Sequence, residues 1–359
     1  MRIIDSDSIV SRALALYGEW AMDELRLLSK FITSGMSVLD VGAFIGTHTL
    51  AFSKFTGERG KVYSFEPRKE IFVVLSENIK KNNCMNTTAF NIALAEKEYT
   101  LDTKSFDAEA ELNYGGLALG DYVTPRGPDN YQLKVSTIDS LEIDKIDVIK
   151  IDAEGMEAQV LEGAVNSIMR NRPIIFAECN SLDDGNKLLI FCKSTQYTPY
   201  GFLSSAFNPK NFNQNRDNIF GFAKESALVL IPSEIKSDAV LKIINEHLLT
   251  ISNLDDLVLL LLHKPQYPYE VLALTKLSSA LGINYPSPGL SEQIIGFNNT
   301  LQERDEQIVD LQLSTEKLVK EINEILSSRS WRITRPLRRL SSWWGLFNRK
   351  IRSRPTISN

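Results

Sequence analysis

The chain has 359 residues, ample for one large domain plus extensions, and its 43% hydrophobic and 24% charged content is that of a soluble globular protein. Three histidines exclude a His-rich metal site; Cys84, Cys179 and Cys192 form neither a metal-ligand spacing nor an even disulfide set, which points to a reducing, cytoplasmic home. The net charge of −5 is uneven: residues 327–359 hold nine basic and no acidic residues, so an acidic body carries a basic tail.

Asp5 and Asp7 stand where an export signal would need an apolar run, and the longest aliphatic run, 257–262, is too short for a bilayer. Up to about Pro232, strand-like runs alternate with helix-like stretches, the pattern of an α/β sheet. Residues 37–41 predict a buried strand, and a helix starts near Gly46. A second strand, 61–65, runs into Glu66. Residues 70–83 place Ile71, Val74, Leu75 and Ile79 on one helical face. Further strands are predicted at 88–92, 148–151 and 174–177, the last two ending at Asp152 and Glu178. Residues 219–223 and 227–231 suit an antiparallel hairpin. The polar, Gly-rich stretch 100–134 is too long for a plain connection and reads as functional.

Asp40-Val41-Gly42-Ala43-Phe44-Ile45-Gly46 joins the first strand to the first sheet helix. Gly42 permits a sharp turn and close approach to a ligand, and Gly46 lets a helix N-terminus face the site. A dinucleotide fingerprint would need glycines at Phe44 and Thr47, so the pattern suits a cofactor without a pyrophosphate. Glu66, twenty residues after Gly46, is placed to accept both hydroxyls of a ribose.

The runs V-L-D-V-G-A-F-I-G-T-H-T from Val38, F-E-P from Phe65, N-I-A-L from Asn91 and I-K-I-D-A-E-G-M-E from Ile149 together resemble the FkbM family of S-adenosylmethionine-dependent methyltransferases. Tyr17-Gly18-Glu19-Trp20 is similar to that family's entry loop, and the likeness spans about 15–231. It implies a Rossmann-like class I fold with a mostly parallel seven-stranded sheet in a domain over 10–232. It also implies S-adenosylmethionine as cofactor and hydroxyl methylation, often on sugars. Asp40, Gly42, Ala43, Gly46 and Thr47 would then serve the methionine and ribose side, and Glu66 the ribose. Asn91 and Ala93 would lie near the adenine, and Glu19 near the amino-acid end.

Methyl transfer aligns an acceptor oxygen with the sulfonium methyl and removes its proton. Asp152, at the tip of the fourth strand, is the first choice for general base. Glu154 suits catalysis, substrate binding or a metal, although no metal is assigned. Glu178 reads as a substrate contact, Glu157 as a helix-dipole partner, and His48 as a packed helix residue rather than a base. Asn208 and Asn211, in an amide-dense run, suit sugar hydroxyls or an Asx-rich loop.

Beyond the domain, 236–283 reads as a helical region and 284–291 as a Pro/Gly linker. Residues 292–326 carry Ile294, Phe297, Leu301, Ile308, Leu311, Leu318, Ile322 and Ile325 in one heptad register, which predicts a coiled coil and self-association, or a long helix packed on its own domain. In 327–359, a helix from Pro336 would oppose Leu337, Leu340, Trp343, Trp344, Phe347 and Ile351 to its basic residues, suiting an anionic membrane face better than nucleic acid. The resulting expectation is a sugar O-methyltransferase on the inner face of the cytoplasmic membrane. Methylation of RNA or protein, and a coiled-coil adaptor with a degenerate domain, are the rivals.

Overall fold

The structure is a computed structural model and describes residues 1–104 and 130–268. Two helices open the chain, α1 (Val10–Tyr17) and α2 (Met22–Phe31). They lead into β1 (Ser37–Val41), α3 (Thr47–Thr56), β2 (Lys61–Phe65), α4 (Lys69–Lys81) and β3 (Thr87–Phe90). β4 (Ala93–Leu94), β5 (Tyr99–Lys104) and β6 (Asn130–Ser136) form a small second sheet in the order β4-β6-β5. The main sheet resumes with β7 (Val148–Ile151), α5 (Glu157–Glu162), α6 (Val165–Asn171), β8 (Ile174–Glu178) and α7 (Leu182–Thr195). β9 (Tyr197–Ser205), β10 (Lys224–Pro232), α8 (Asp238–His247), β11 (Leu249–Thr250) and α9 (Leu254–Leu262) complete it.

The strand order is β11-β9-β10-β8-β7-β1-β2-β3. The five strands from β8 to β3 are parallel; β10, β9 and β11 add antiparallel. From β1 the chain winds outward through β2 and β3, then returns to wind the other way through β7 and β8. The reversal falls between β1 and β7, where a crevice opens at the carboxyl ends of the strands.

Apolar residues on both faces explain why β1 and β7 are central: every position of each is buried. Leu39, Val41, Ile149 and Ile151 join one core with α5 and α7, whereas Val38, Val62, Val148 and Phe176 join another under α2 and α3. Leu257, Leu260 and Leu261 of α9 sit in the first core, and Ile244 of α8 in the second. Side-chain caps start the later helices: Ser181 on α7, Ser237 on α8 and Asn253 on α9.

Several expectations are corrected. Among the described residues the main sheet has eight strands rather than seven, because the two-residue β11 pairs onto β9. The partner of β10 is β9, not 219–223, which hold no strand. The third strand ends at Phe90 rather than at 92. The ends of 100–134 are not loop but belong to β5 and β6, which pair antiparallel. The coiled coil, the basic tail, the linker and the end of the helical region lie outside the described residues. Among the described residues no helix is long and apolar enough to cross a membrane.

Candidate active site

Sheet register builds the crevice. Asp40 of β1 stands between Ser64 of β2 and Lys150 of β7, and Lys150 stands beside Phe176 of β8. Two residues on, with side chains returning to the same face, come Glu66, Gly42, Asp152 and Glu178. Ser64, Asp40 and Lys150 thus form a polar row beneath the tips, and Glu66, Gly42, Asp152 and Glu178 form the tips themselves. The cavity above them measures about 240 Å³ and also takes in Trp20, Glu24, His48, Arg68, Asn180 and Glu225.

The β1–α3 turn shapes one half. Gly42 and Phe44 both have left-handed backbones, with φ of 79° and 48°. A Cβ on Gly42 would stand 1.7 Å from the Asp152 carbonyl oxygen, so this glycine is demanded by contact with the neighbouring strand tip. Gly46 is likewise a packing glycine: its added Cβ would meet Leu75 Cδ1 at 2.8 Å. The Gly42 and Ala43 N–H groups donate to the Phe65 carbonyl, which fixes the turn against β2.

Glu66 is 4% exposed and lines the cavity. Its Oε2 accepts from Phe44 N–H at 3.0 Å and its Oε1 from Arg68 N–H at 2.9 Å. Each carboxylate oxygen has a second acceptor site, so both remain able to receive a hydroxyl. Burial raises its pKa, against the lowering effect of Arg68.

The other half is acidic. Lys150 Nζ lies 2.8 Å from Asp152 Oδ2; the lysine side chain is 2% exposed and the aspartate 34%. Burial opposes the charge on Lys150, but Asp152, Asp40 and Glu24 outweigh it and raise its pKa. Burial likewise opposes ionisation of Asp152, yet the Lys150 ammonium and a hydrogen bond with Glu178 hold its carboxyl below the ordinary range. Glu154 is the reverse case: burial, then the charges of Asp152 and Glu157, push it up to about 8. Glu178 is raised well above the ordinary range by burial and by Asp152 and Glu154. Glu157 rises to about 7 by burial, despite accepting from the Ala153 and Gly155 N–H groups. The sharp turn that delivers Glu154 has positive φ at both Glu154 and Gly155.

Carboxylate oxygens of Asp152, Glu154 and Glu178 lie within 4.8 Å of one another, an all-oxygen set of the kind hard divalent cations accept. The Lys150 ammonium already supplies one positive charge there. His48, 6% exposed, lines the cavity with Nε2 3.3 Å from Glu24 Oε2 but off hydrogen-bond geometry.

Of the residues singled out from sequence, Gly42, Ala43, Thr47, Glu66, Ala93, Asp152, Glu154 and Glu178 line this one cavity. Others stand behind it. Asp40 is fully buried and accepts from Thr49 Oγ1, and Asn91 Nδ2 donates to the Glu66 and Pro67 carbonyls. Asn91 therefore braces the Glu66–Pro67 turn. Gly46 caps α3. Glu19, Asn208 and Asn211 lie off the cavity wall: Asn208 Nδ2 donates to Glu19 Oε1 at 2.6 Å, Phe212 N–H donates to Glu19 Oε2, and Asn211 donates to the Asn208 and Asn215 carbonyls. They tie the 207–218 loop to the end of α1. Lys150, Glu24, Asn180 and Glu225 were not anticipated. Lys150 alone carried a signal, as a charge inside the otherwise apolar run V-I-K-I.

A mainly parallel sheet with a glycine turn at its switch point, a buried acid after the next strand and acids across the crevice defines the class I methyltransferase-like α/β fold. Residues 40–202 match the Methyltransferase FkbM domain. They form an FkbM-family, S-adenosylmethionine-dependent methyltransferase domain. Among solved structures, the chain is similar to methyltransferase FkbM from Methylobacillus flagellatus KT, at 17% identity and TM-score 0.39, over 55% of this chain and 44% of that one. It thus spans less than half the length of that protein. It is also similar to a SAM-dependent O-methyltransferase from Thermotoga maritima (12% identity, TM-score 0.34, 60% of this chain and 67% of that one). A Streptococcus mutans protein described as a methyltransferase, in complex with SAH, matches at 12% identity and TM-score 0.34 over 58% and 96% of the two chains. No curated protein matches.

Proposed function

We propose that this domain methylates a sugar hydroxyl, in a cell-surface glycan or its lipid-linked precursor. The observation that carries the reading is the acid cluster Asp152–Glu154–Glu178 across the crevice from Glu66. A neutral hydroxyl is a poor nucleophile and needs a proton acceptor, whereas an amine or thiol needs one less.

S-adenosylmethionine, when bound, supplies a methyl group on a positively charged sulfur. The residues present fit it: Glu66 is a buried carboxylate with acceptor sites facing the cavity, and Phe65, Ile92 and Leu94 give it an apolar flank. Glu66 would hold the ribose hydroxyls, and the Gly42–Phe44 turn would carry the methionine side. On the acceptor side, Asp152 is the ionised member, kept so by Lys150. Glu154 is the member whose proton affinity is matched to neutral pH. The cluster takes the hydroxyl proton as a unit, because its members titrate together.

We further propose that 292–326 self-associate as a coiled coil and that 327–359 bind an anionic membrane surface, on the heptad register and the opposed Trp and Arg faces. The test of the acceptor is mass spectrometry of surface glycans from cells with and without the gene. Loss of a single methyl increment in the deletion supports the reading; identical glycans in both contradict it.

A further inference from the structure

We infer that Lys264, which lies beyond the matched domain, is a positioning residue for the acceptor side of the crevice. After α9 the chain turns inward, with Lys264 N–H donating to the Leu261 carbonyl and the side chain only 2% exposed. Its ammonium donates to Asn180 Oδ1 at 2.6 Å and lies 3.6 Å from Glu225 Oε2. Asn180 and Glu225 both line the crevice. Asn180 follows the tip of β8 by two residues; Glu225 lies on β10, two residues from Ala227, the register partner of Glu178.

The segment that brings Lys264 in is anchored without it. Gln266 Nε2 donates to the Lys224 carbonyl, and Lys224 N–H donates back to Gln266 Oε1 at 3.4 Å. Leu257 and Leu261 are fully buried in the core. Packing alone would therefore be served by an apolar residue at 264. A lysine taken out of water is costly unless its charge is used, and here it is spent on two residues of the cavity wall. No part of the 40–202 match supplies this cation.

Its reach extends to the acceptor side of the crevice, where Asn180 and Glu225 share one wall with Asp152, Glu154 and Glu178. Lys150 holds Asp152 from below, and Lys264 holds Asn180 and Glu225 from the other flank. Without the Lys264 ammonium the Asn180 amide is free to turn, and the wall that an acceptor would rest against loses its set shape. The inference rests on methyl transfer in this crevice but not on which hydroxyl is methylated.

The test is the side-chain amide ¹H–¹⁵N NMR spectrum of the full chain with SAH bound, with Asn180 assigned through Asn180→Asp. Lys264→Met should shift the Asn180 amide resonances, Lys264→Arg should restore them, and Gln266→Ala, which loosens the same segment, should leave them in place. With a surface-glycan extract from cells lacking the gene as acceptor, Lys264→Met should lower kcat/KM about tenfold or more and change SAH affinity less than about twofold. Unmoved Asn180 resonances in folded Lys264→Met, or equal movement in Gln266→Ala, would overturn the inference. Should Lys264→Met not fold, Lys264→Gln, which drops the charge, decides by the same resonances. No transfer to the extract by the unmodified chain would count against the sugar reading alone, the Asn180 resonances still deciding Lys264.

Discussion

Glu154 shows what one backbone choice can do. A left-handed turn carries its carboxyl into the crevice beside Asp152 and Glu157, and burial there moves its pKa from an ordinary 4.5 to about 8. The folded chain consequently binds that proton more tightly than the unfolded chain. Stability contributed by the protonated group is full below about 4.5 and is lost as pH rises through about 8. Glu154→Gln, which keeps the shape without the charge, should therefore melt near the parent at pH 5 and above it at pH 8.5. Each kcal/mol relieved corresponds to about 2–4 °C. Thermal denaturation across that range checks it; parallel curves would show that the carboxyl is not strained by its surroundings. At this scale the sequence was informative where a residue's role follows from strand position. Glu66, Asp152 and Glu178 were legible because each is the first acid after an apolar run. Lys264 and Glu225 were not, because their meeting depends on a turn after α9 that no local pattern announces.

Among the elements, the strand tips are held together by atoms too close to admit a side chain. Gly42→Ala would place a methyl carbon 1.7 Å from the Asp152 carbonyl at a φ of 79°. It should cost about 2 kcal/mol or more in urea denaturation and spread β1 from β7. α9 is packed just as closely. Leu257 is fully buried against the core, and a Cβ on Gly185 of α7 would reach it at 2.5 Å. Leu257→Ala should destabilise the domain by about 2–5 kcal/mol in one cooperative transition; a loss under about 0.5 kcal/mol would mean that α9 is peripheral. The central strands were readable because burial on both faces leaves uninterrupted apolar runs. β9 was not, because Pro199 and Gly201 argue against a strand. It forms nonetheless: β11 pairs only with Tyr200 and Gly201, so Pro199 lies where that side of the strand carries no ladder.

For the molecule as a whole, the described residues place Glu66 and the cluster Asp152–Glu154–Glu178 at one end of one sheet, Glu66 toward β2 and the cluster toward β8, the arrangement on which the proposed methyl transfer rests. The chain beyond 268 is proposed to bring that site to its substrate. Deleting 327–359 should abolish co-sedimentation with vesicles rich in anionic lipid and leave SAH affinity unchanged; vesicle binding that persists would contradict the tail's role. The pocket between Gly42 and Glu66 is where the proposed cofactor would be held. Titration calorimetry of the full chain with SAH measures it directly. The parent should give a one-to-one binding heat, and folded Glu66→Ala should bind at least about tenfold more weakly, having lost charge-assisted hydrogen bonds. Equal affinity in the two, or no heat from a folded parent, would contradict it.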